Sequence, residues 1–234
     1  ELQEEIKRNL QNKEQTILFL NRRGFSTFIM CRSCGYVAKC KNCNISLTYH
    51  KYENKLKCHY CGYETAVMTK CPECNSDKIK YFGTGTQKLE DEIHKLFPTA
   101  STIRMDIDTV GKKNSYEEIL GKFRDENIDI LVGTQMVVKG HHFPNVTLVG
   151  VVSADGALNI EDYKSAERTF QTIVQVAGRA GRENKKGRVY IQTYNPDHYA
   201  ITLAQKQNYE EFFNLELDLR KRLNYPPFCD IILI

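Results

Sequence analysis

Nowhere in this chain of 234 residues is there a phosphate-cradling G-x-x-x-x-G-K-[ST] loop, and no acidic metal-binding motif follows a suitable strand. A nucleotide's terminal phosphate can therefore be held here from one side only. Equally absent is any apolar run near the roughly 18 residues that cross a bilayer, which excludes a membrane-spanning helix, and no signal peptide is present. An initiating methionine is also missing. The chain opens on Glu1 and closes on the apolar alternation FCDIILI, so both ends read as cuts through a longer protein. With 41% hydrophobic and 26% charged residues the composition excludes disorder, and the length suits one sizeable core or one core plus a small appendage. The formal charge of +4 suggests only a weak preference for anions.

What is present in excess is cysteine, confined to one block. Eight of nine cysteines form four C-x-x-C knuckles: Cys31/Cys34, Cys40/Cys43, Cys58/Cys61 and Cys71/Cys74. Two residues between sulfurs let both reach one tetrahedral ion at about 2.3 Å, so four knuckles complete two zinc sites. Eight thiolates and two divalent ions would cancel the whole +4, which makes net charge a poor guide to partners. A disulfide framework fits badly because nothing marks the chain as secreted, and four adjacent redox pairs would be redundant. Between Cys43 and Cys58, Ile45, Leu47 and Tyr49 alternate before a turn near Glu53-Asn54 and a return through Leu56. That hairpin brings the second and third knuckles face to face. The expected nesting is Cys31, Cys34, Cys71 and Cys74 outside, flanked by strand-like FSTFIM (25–30) and KIKYF (78–82), with Cys40, Cys43, Cys58 and Cys61 inside. His59 reads as a solvated residue or a neighbour of the thiolate shell, and Cys229 as a small core side chain.

Outside this block, short apolar runs alternate with helical stretches. TILFL (16–20), STIRM (101–105), IDILVG (128–133), VTLVGVV (146–152) and RVYIQT (188–193) read as strands covered on both faces. TQKLEDEIHKLF (86–97), SYEEILGKFRD (115–125) and EDYKSAERTFQTIVQVAG (161–178) carry helical periodicity. The alternation predicts an α/β fold, a mostly parallel sheet flanked by helices, interrupted after its first strand by the cysteine-rich β-hairpin insertion. In such sheets function gathers at the loops leaving the carboxyl ends of the strands. NRRGF (21–25), YFGTGTQ (81–87) and VGTQMVVKGHHF (132–143) are chemically unusual loops there.

QVAGRAGR (175–182) ends the longest helical stretch. Gly178 and Gly181 permit close backbone approach, and Arg179 and Arg182 would emerge on one side if a helical turn continues. Paired guanidiniums suit a polyphosphate, being planar, permanently charged and able to bind oxygens bidentately. QVAGRAGR resembles motif VI of the superfamily 2 helicases, ILVGTQMVVKGHHFPNVTLV resembles motif V, and ILFLNRRGF and GTGTQ resemble motifs IV and IVa. The four knuckles between the last two narrow the resemblance to the primosomal protein N′ family of replication-restart helicases, over essentially the whole chain. RKRLNYPPF (220–228) looks like the start of that family's C-terminal domain.

The resemblance implies a RecA-like second helicase lobe at 1–24 and 83–218, a zinc-binding insertion at 25–82 and the start of a truncated C-terminal domain at 219–234. It implies ATP-driven 3′ to 5′ unwinding of branched and single-stranded DNA in a bacterial cytoplasm. The partners implied are primosome proteins and single-stranded DNA-binding protein. ATP and Mg2+ would bind only with the first lobe. Arg182 would be the arginine finger, with Arg179 beside it and Gln175 sensing nucleotide. Gly133, Thr134, Gln135, Lys139 and Gly140 would couple the ATP cleft to DNA, and Arg22, Arg23, Thr84 and Thr86 would grip phosphates of the tracking strand. Tyr36, Tyr49, Tyr52, Tyr60 and Tyr63, interleaved with lysines, either stack on unpaired bases or simply cover the metal sites. The rival reading from another class is a non-catalytic zinc-ribbon module that binds DNA or protein.

Overall fold

The structure, a computed structural model, describes residues 1–20, 28–50, 53–81, 86–106, 115–134, 143–181 and 186–231. In chain order the elements are α1 (Leu2–Gln11), β1 (Gln15–Leu20), β2 (Ile29–Cys31), β3 (Thr48–His50), β4 (Lys55–Lys57), β5 (Glu64–Ala66), β6 (Ile79–Tyr81) and α2 (Thr86–Leu96). There follow β7 (Thr102–Met105), α3 (Ser115–Asp125), β8 (Ile130–Gly133), β9 (Val146–Val152), α4 (Asp155–Leu158), α5 (Ser165–Ala177), β10 (Arg188–Ile191), α6 (Tyr199–Gln205) and α7 (Tyr209–Arg222). They fall into two compact units. One comprises Glu1–Arg22, Thr84–Ala154 and Thr172–Thr193, and the other Arg23–Gly83, Asp155–Gln171 and Tyr194–Ile234. Residues 194–218, expected with the sheet, thus group with the cysteine-bearing segment, and α7 runs unbroken across the boundary expected at 218–219.

The first unit is built on a five-stranded sheet in the order β10-β9-β1-β8-β7. Every pairing in it is parallel. β1 is central and buried along its whole length, as a parallel strand covered on both faces must be. One face packs Ile6 of α1, Leu18, Ile93 of α2, Ile130, Val132 and Leu148 into a core. α1 lies so close that a Cβ on Gly150 would meet the Leu18 side chain at 2.7 Å and that of Leu2 at 3.1 Å. Elsewhere in the unit Phe123 of α3 meets Phe143 edge-on, ring centroids 5.2 Å apart.

The starts of these strands carry a buried polar network. Gln15 donates its amide to the carbonyls of Phe123 (2.6 Å) and Ile128 (2.9 Å). Asn9 donates to the Thr147 hydroxyl (3.0 Å) and accepts from Arg188 (2.7 Å). Buried polar groups must be paired, and this network fixes the register of three strand starts at one sheet edge.

The second unit has only three-residue strands. β2 pairs with β6 and β3 with β4, both antiparallel, the second pair being the hairpin expected between Cys43 and Cys58. β5 adds a third strand beside β4, held across the ladder by Lys55 and Lys57 on Glu64 at 2.9 and 2.8 Å. The small core includes Ile29, Ala38, Cys40, Ile45, Leu47, Leu56, Cys58 and Tyr225, with Tyr163 and Leu223 against it. α6 and α7 are N-capped by His198 and Asn208. Cys229 is not in this core: it is half-buried, with its thiol donating to the Asn224 carbonyl. Among the described residues no helix is long and apolar enough to cross a membrane.

Candidate functional site

The eight knuckle sulfurs converge as two quartets, Cys31/Cys34/Cys71/Cys74 and Cys40/Cys43/Cys58/Cys61, with the ligand atoms of each within 4.8 Å of one another. The outer and inner nesting drawn from the hairpin is the one observed. Cross-knuckle Sγ separations are 3.6 Å for Cys31–Cys74 and Cys34–Cys71, and 3.5 Å for Cys40–Cys61. A tetrahedron of sulfurs about 2.3 Å from a central ion has edges of nearly this length, so the donor set fits a zinc-sized ion.

All four knuckles share one backbone design. The residue after the second cysteine is Gly35, Asn44, Gly62 or Asn75, each left-handed at φ 78, 55, 73 and 59°. Its N–H returns to the carbonyl of the first cysteine at 2.9–3.0 Å, and the first cysteine's N–H bonds the carbonyl of the residue that comes next, Tyr36, Ile45, Tyr63 or Ser76. Only glycine and, at some cost, asparagine adopt that conformation readily. The repeated C-x-x-C-[GN] is therefore a signal in the sequence that the spacing of cysteines alone does not exploit. The tight turns also aim N–H groups at sulfur. The Tyr63 N–H, followed by the Asn42 amide, draws the Cys61 thiol down to about 6. Cys31 also reaches about 6 although burial opposes it, through the N–H groups of Cys34 and Ser33. Burial pushes Cys58 up to about 11 and raises Cys43 as well.

His59 lies 53% exposed inside the third knuckle and is not free in solvent. Its ring contacts Glu161 at 3.0 Å through Nδ1 and His50 at 2.9 Å through Nε2.

On the sheet, Gly133 closes β8 in register with Phe19 and Met105, and the Thr134 N–H reaches the Met105 carbonyl at 3.3 Å. Both therefore sit at the carboxyl edge. The arginine segment does not. α5 ends at Ala177, and the N–H groups of Arg179 and Ala180 then turn back to Val176 and Ala177. Gly181, at φ 67°, stops the helix and donates its N–H to the carbonyl of Val146, the first residue of β9. The helical turn expected to carry both arginines thus breaks before Arg182, and the segment lies at the amino edge, six strand rises or ~20 Å from the end of β9. Parallel topology requires this, since a helix following β9 must return the chain to where β10 begins. Gly187 approaches this segment closely, because a Cβ on it would meet the Ala180 backbone at 2.2 Å.

Gln175 and Gly178 are exposed, and Arg179 is half-buried beside Tyr116. Thr86 is buried at 4% exposure and gives its hydroxyl to Asp106 at 2.5 Å, so that hydroxyl is not offered to a phosphate as expected. Arg22, Arg23, Tyr52, Thr84, Gln135, Lys139, Gly140 and Arg182 lie outside the described residues.

Comparison with known proteins places this geometry. Residues 66–184 match the helicase conserved C-terminal domain, and residues 40–65 match the PriA DNA helicase Cys-rich region domain. The chain is similar to the replication restart protein PriA of Bacillus subtilis, 52% identical over 234 residues, and to that of Synechocystis, 48% over 226 residues. It is also 44% identical over 234 residues to that of Borreliella burgdorferi. These alignments take in 100%, 95% and 100% of this chain but only 29%, 27% and 35% of the relatives, so the chain spans about a third of their length. Matched across half its residues by that domain, and along 95–100% of them by these relatives, the chain belongs to the helicase conserved C-terminal domain family, in the line of the replication restart proteins PriA.

Proposed function

We propose that the chain is the second motor lobe of an ATP-dependent DNA helicase that moves 3′ to 5′ and restarts replication at stalled forks. The observation that most supports this is the anchoring of Gly181, between Arg179 and Arg182 in sequence, to the amino edge of an all-parallel sheet. A segment anchored to the sheet at Gly181 ties Arg179 and the residues that follow it to a rigid frame. That rigidity matters where charge develops on a transferring phosphoryl group. In this reading Arg182 is the finger on the γ-phosphate, Arg179 stands beside it and Gln175 reports on nucleotide. Such a finger is worth ~10³ to 10⁵ in rate in other phosphoryl-transfer enzymes.

ATP and Mg2+ are completed by a first lobe in the longer protein, so the chain by itself hydrolyses nothing. Gly133 and Thr134, with Gln135, Lys139 and Gly140, link hydrolysis to the DNA backbone from the opposite edge. Arg22, Arg23 and Thr84 contact phosphates of the tracking strand, and Thr86 contributes through the backbone N–H groups at the start of α2. Primosome proteins and single-stranded DNA-binding protein are the expected partners. The eight thiolates would hold two structural zinc ions, in keeping with the sulfur spacing and the N–H groups aimed at Cys31 and Cys61.

The test is unwinding by the full-length protein of duplexes carrying either a 3′ or a 5′ single-stranded arm. ATP-dependent displacement is expected from the substrate with the 3′ arm. Displacement from the 5′ arm, or equal rates without ATP, would reject the motor reading.

A further inference from the structure

Within the cysteine unit the two quartets are held by different means. The outer one lies beside the β2–β6 pair. Its knuckles are linked by a solvent-exposed contact between the Ser33 and Ser76 hydroxyls at 3.0 Å, and the Arg32 N–H reaches the Lys78 carbonyl at 2.9 Å. Cys34 and Cys74 are both exposed there. The inner quartet exposes Cys61 alone, with Cys40 and Cys58 buried and Cys43 half-buried. Residues far along the chain, in segments of the same unit, reach both of its knuckles.

On the third knuckle the contact is Glu161, whose side chain is 7% exposed. Its carboxylate accepts the Thr48 hydroxyl at 2.5 Å and the His59 backbone N–H at 2.5 Å, and meets His59 Nδ1 at 3.0 Å. Thr48 begins β3 and His59 stands between Cys58 and Cys61, so one carboxylate spans the knuckle and the hairpin before it. On the second knuckle the contact is Tyr225, 8% exposed, which donates its hydroxyl to the Cys43 carbonyl at 2.6 Å. Its ring stacks on Tyr163 with centroids 5.2 Å apart, and the Arg220 guanidinium lies over the Tyr163 ring at 5.2 Å. A thiolate leaves a metal only when its knuckle swings open. Opening the third knuckle would strand a buried carboxylate, and opening the second would break the buried hydroxyl bond, whereas water replaces an exposed pair of serine hydroxyls without loss. Groups that hold metal ligands from behind govern how tightly the ion is kept.

We infer that Glu161 and Tyr225 are positioning residues that hold the inner quartet's two knuckles closed on its ion, so that the inner quartet gives up zinc more slowly than the outer one. This rests on the zinc reading above and needs nothing from the motor reading.

The experiment mixes the zinc-loaded full-length protein with an excess of a metal-sensing chelator and follows release together with amide exchange in the knuckle turns. Exchange at 31–36 and 71–76 reports on the outer quartet, and exchange at 40–45 and 58–63 on the inner. The wild type is expected to release two equivalents in two phases, the faster accompanied by exchange in the outer turns. Glu161→Ala should speed the inner phase about tenfold and change the outer less than about twofold. Tyr225→Phe, which removes one hydroxyl, should speed the inner phase about threefold, and Glu161→Gln, which keeps an acceptor for the His59 N–H, should stay within about threefold of the wild type. A faster phase that opens the inner turns first in the wild type would overturn the inference. So would an inner phase unchanged in both Glu161→Ala and Tyr225→Phe, or equal acceleration of both phases, which marks a general loss of stability. Fewer than two zinc equivalents in the loaded wild type would overturn the zinc reading and this inference with it, and metal content alone tells that failure from the others. Should Glu161→Ala fail to fold, Tyr225→Phe carries the comparison, and unchanged release from it then overturns the inference.

Discussion

The sheet unit and the cysteine unit solve the same problem by different means. In the first, β1 contributes Ile17, Leu18 and Phe19 at 2% exposure or less, and strands of four to seven residues bury enough apolar surface to hold themselves. In the second, no strand exceeds three residues and four of the innermost side chains are cysteines. Strands that short hold little sheet of their own, and metal–thiolate bonds at the two quartets would add to what the apolar residues supply. One unit therefore carries its stability in its apolar residues, whereas the other would add the metal that its two cysteine quartets fit.

Removing metal should break the comparison most severely. Stripping zinc from the protein with a strong chelator is expected to melt the cysteine unit, because binding free energies of ~10 kcal/mol or more per structural zinc are folding free energies. Amide protection in β1, β8 and β9 should persist. Simultaneous loss of protection in both units would show that the sheet also depends on the ion.

A smaller effect should follow from a polar cluster buried in the cysteine unit. Glu216, 6% exposed, accepts from Arg220 at 2.9 Å and from the Tyr199 hydroxyl at 2.6 Å, and Arg220 also reaches Glu167 at 2.7 Å. Arg220→Ala strands a buried carboxylate and should cost about 3 kcal/mol in denaturant unfolding.

The knuckle glycines sharpen the point further. Gly35 and Gly62 share the left-handed turn, but a Cβ on Gly35 would meet the Tyr194 Cβ at 2.7 Å, whereas one on Gly62 meets nothing within 4 Å. Gly62→Ala should cost ~1 kcal/mol from backbone strain alone and Gly35→Ala roughly 2–3 kcal/mol, measured as loss of stability at saturating zinc. Equal costs would remove the Tyr194 contact from the account.

A further effect concerns pH. Burial, aided by Lys39, lowers His198 from 6.5 to about 4, so the unfolded chain binds the proton first as pH falls. Stability of the cysteine unit should therefore decline as pH falls from 6.5 to about 4, and His198→Asn, which keeps a cap for α6, should flatten that slope relative to the wild type.

Much of this was legible in the sequence because period and spacing are local properties. VTLVGVV reads as a strand over 146–152 and is one over those residues, and the hairpin between Cys43 and Cys58 yields the correct pairing of all four knuckles. β5 escapes such a reading because ETA has no apolar alternation, its place being set by Lys55 and Lys57 on Glu64. Glu161, Tyr163 and Tyr225 escape it for a related reason. Each acts on a cysteine knuckle about 100 or more residues away in sequence, and nothing in their neighbourhood marks that contact. The amino-edge position of the arginine segment is deducible in principle, since a helix between parallel strands must bring the chain back, but loop chemistry draws attention to the opposite edge.

The central claim is that the loop pinned through Gly181 completes an ATP site contributed otherwise by a first lobe. DNA-stimulated ATP hydrolysis by the full-length protein carrying Arg182→Ala tests it most directly. A fall of at least ~10³-fold in kcat, with both zinc equivalents retained, is predicted. Hydrolysis at the wild-type rate would contradict it.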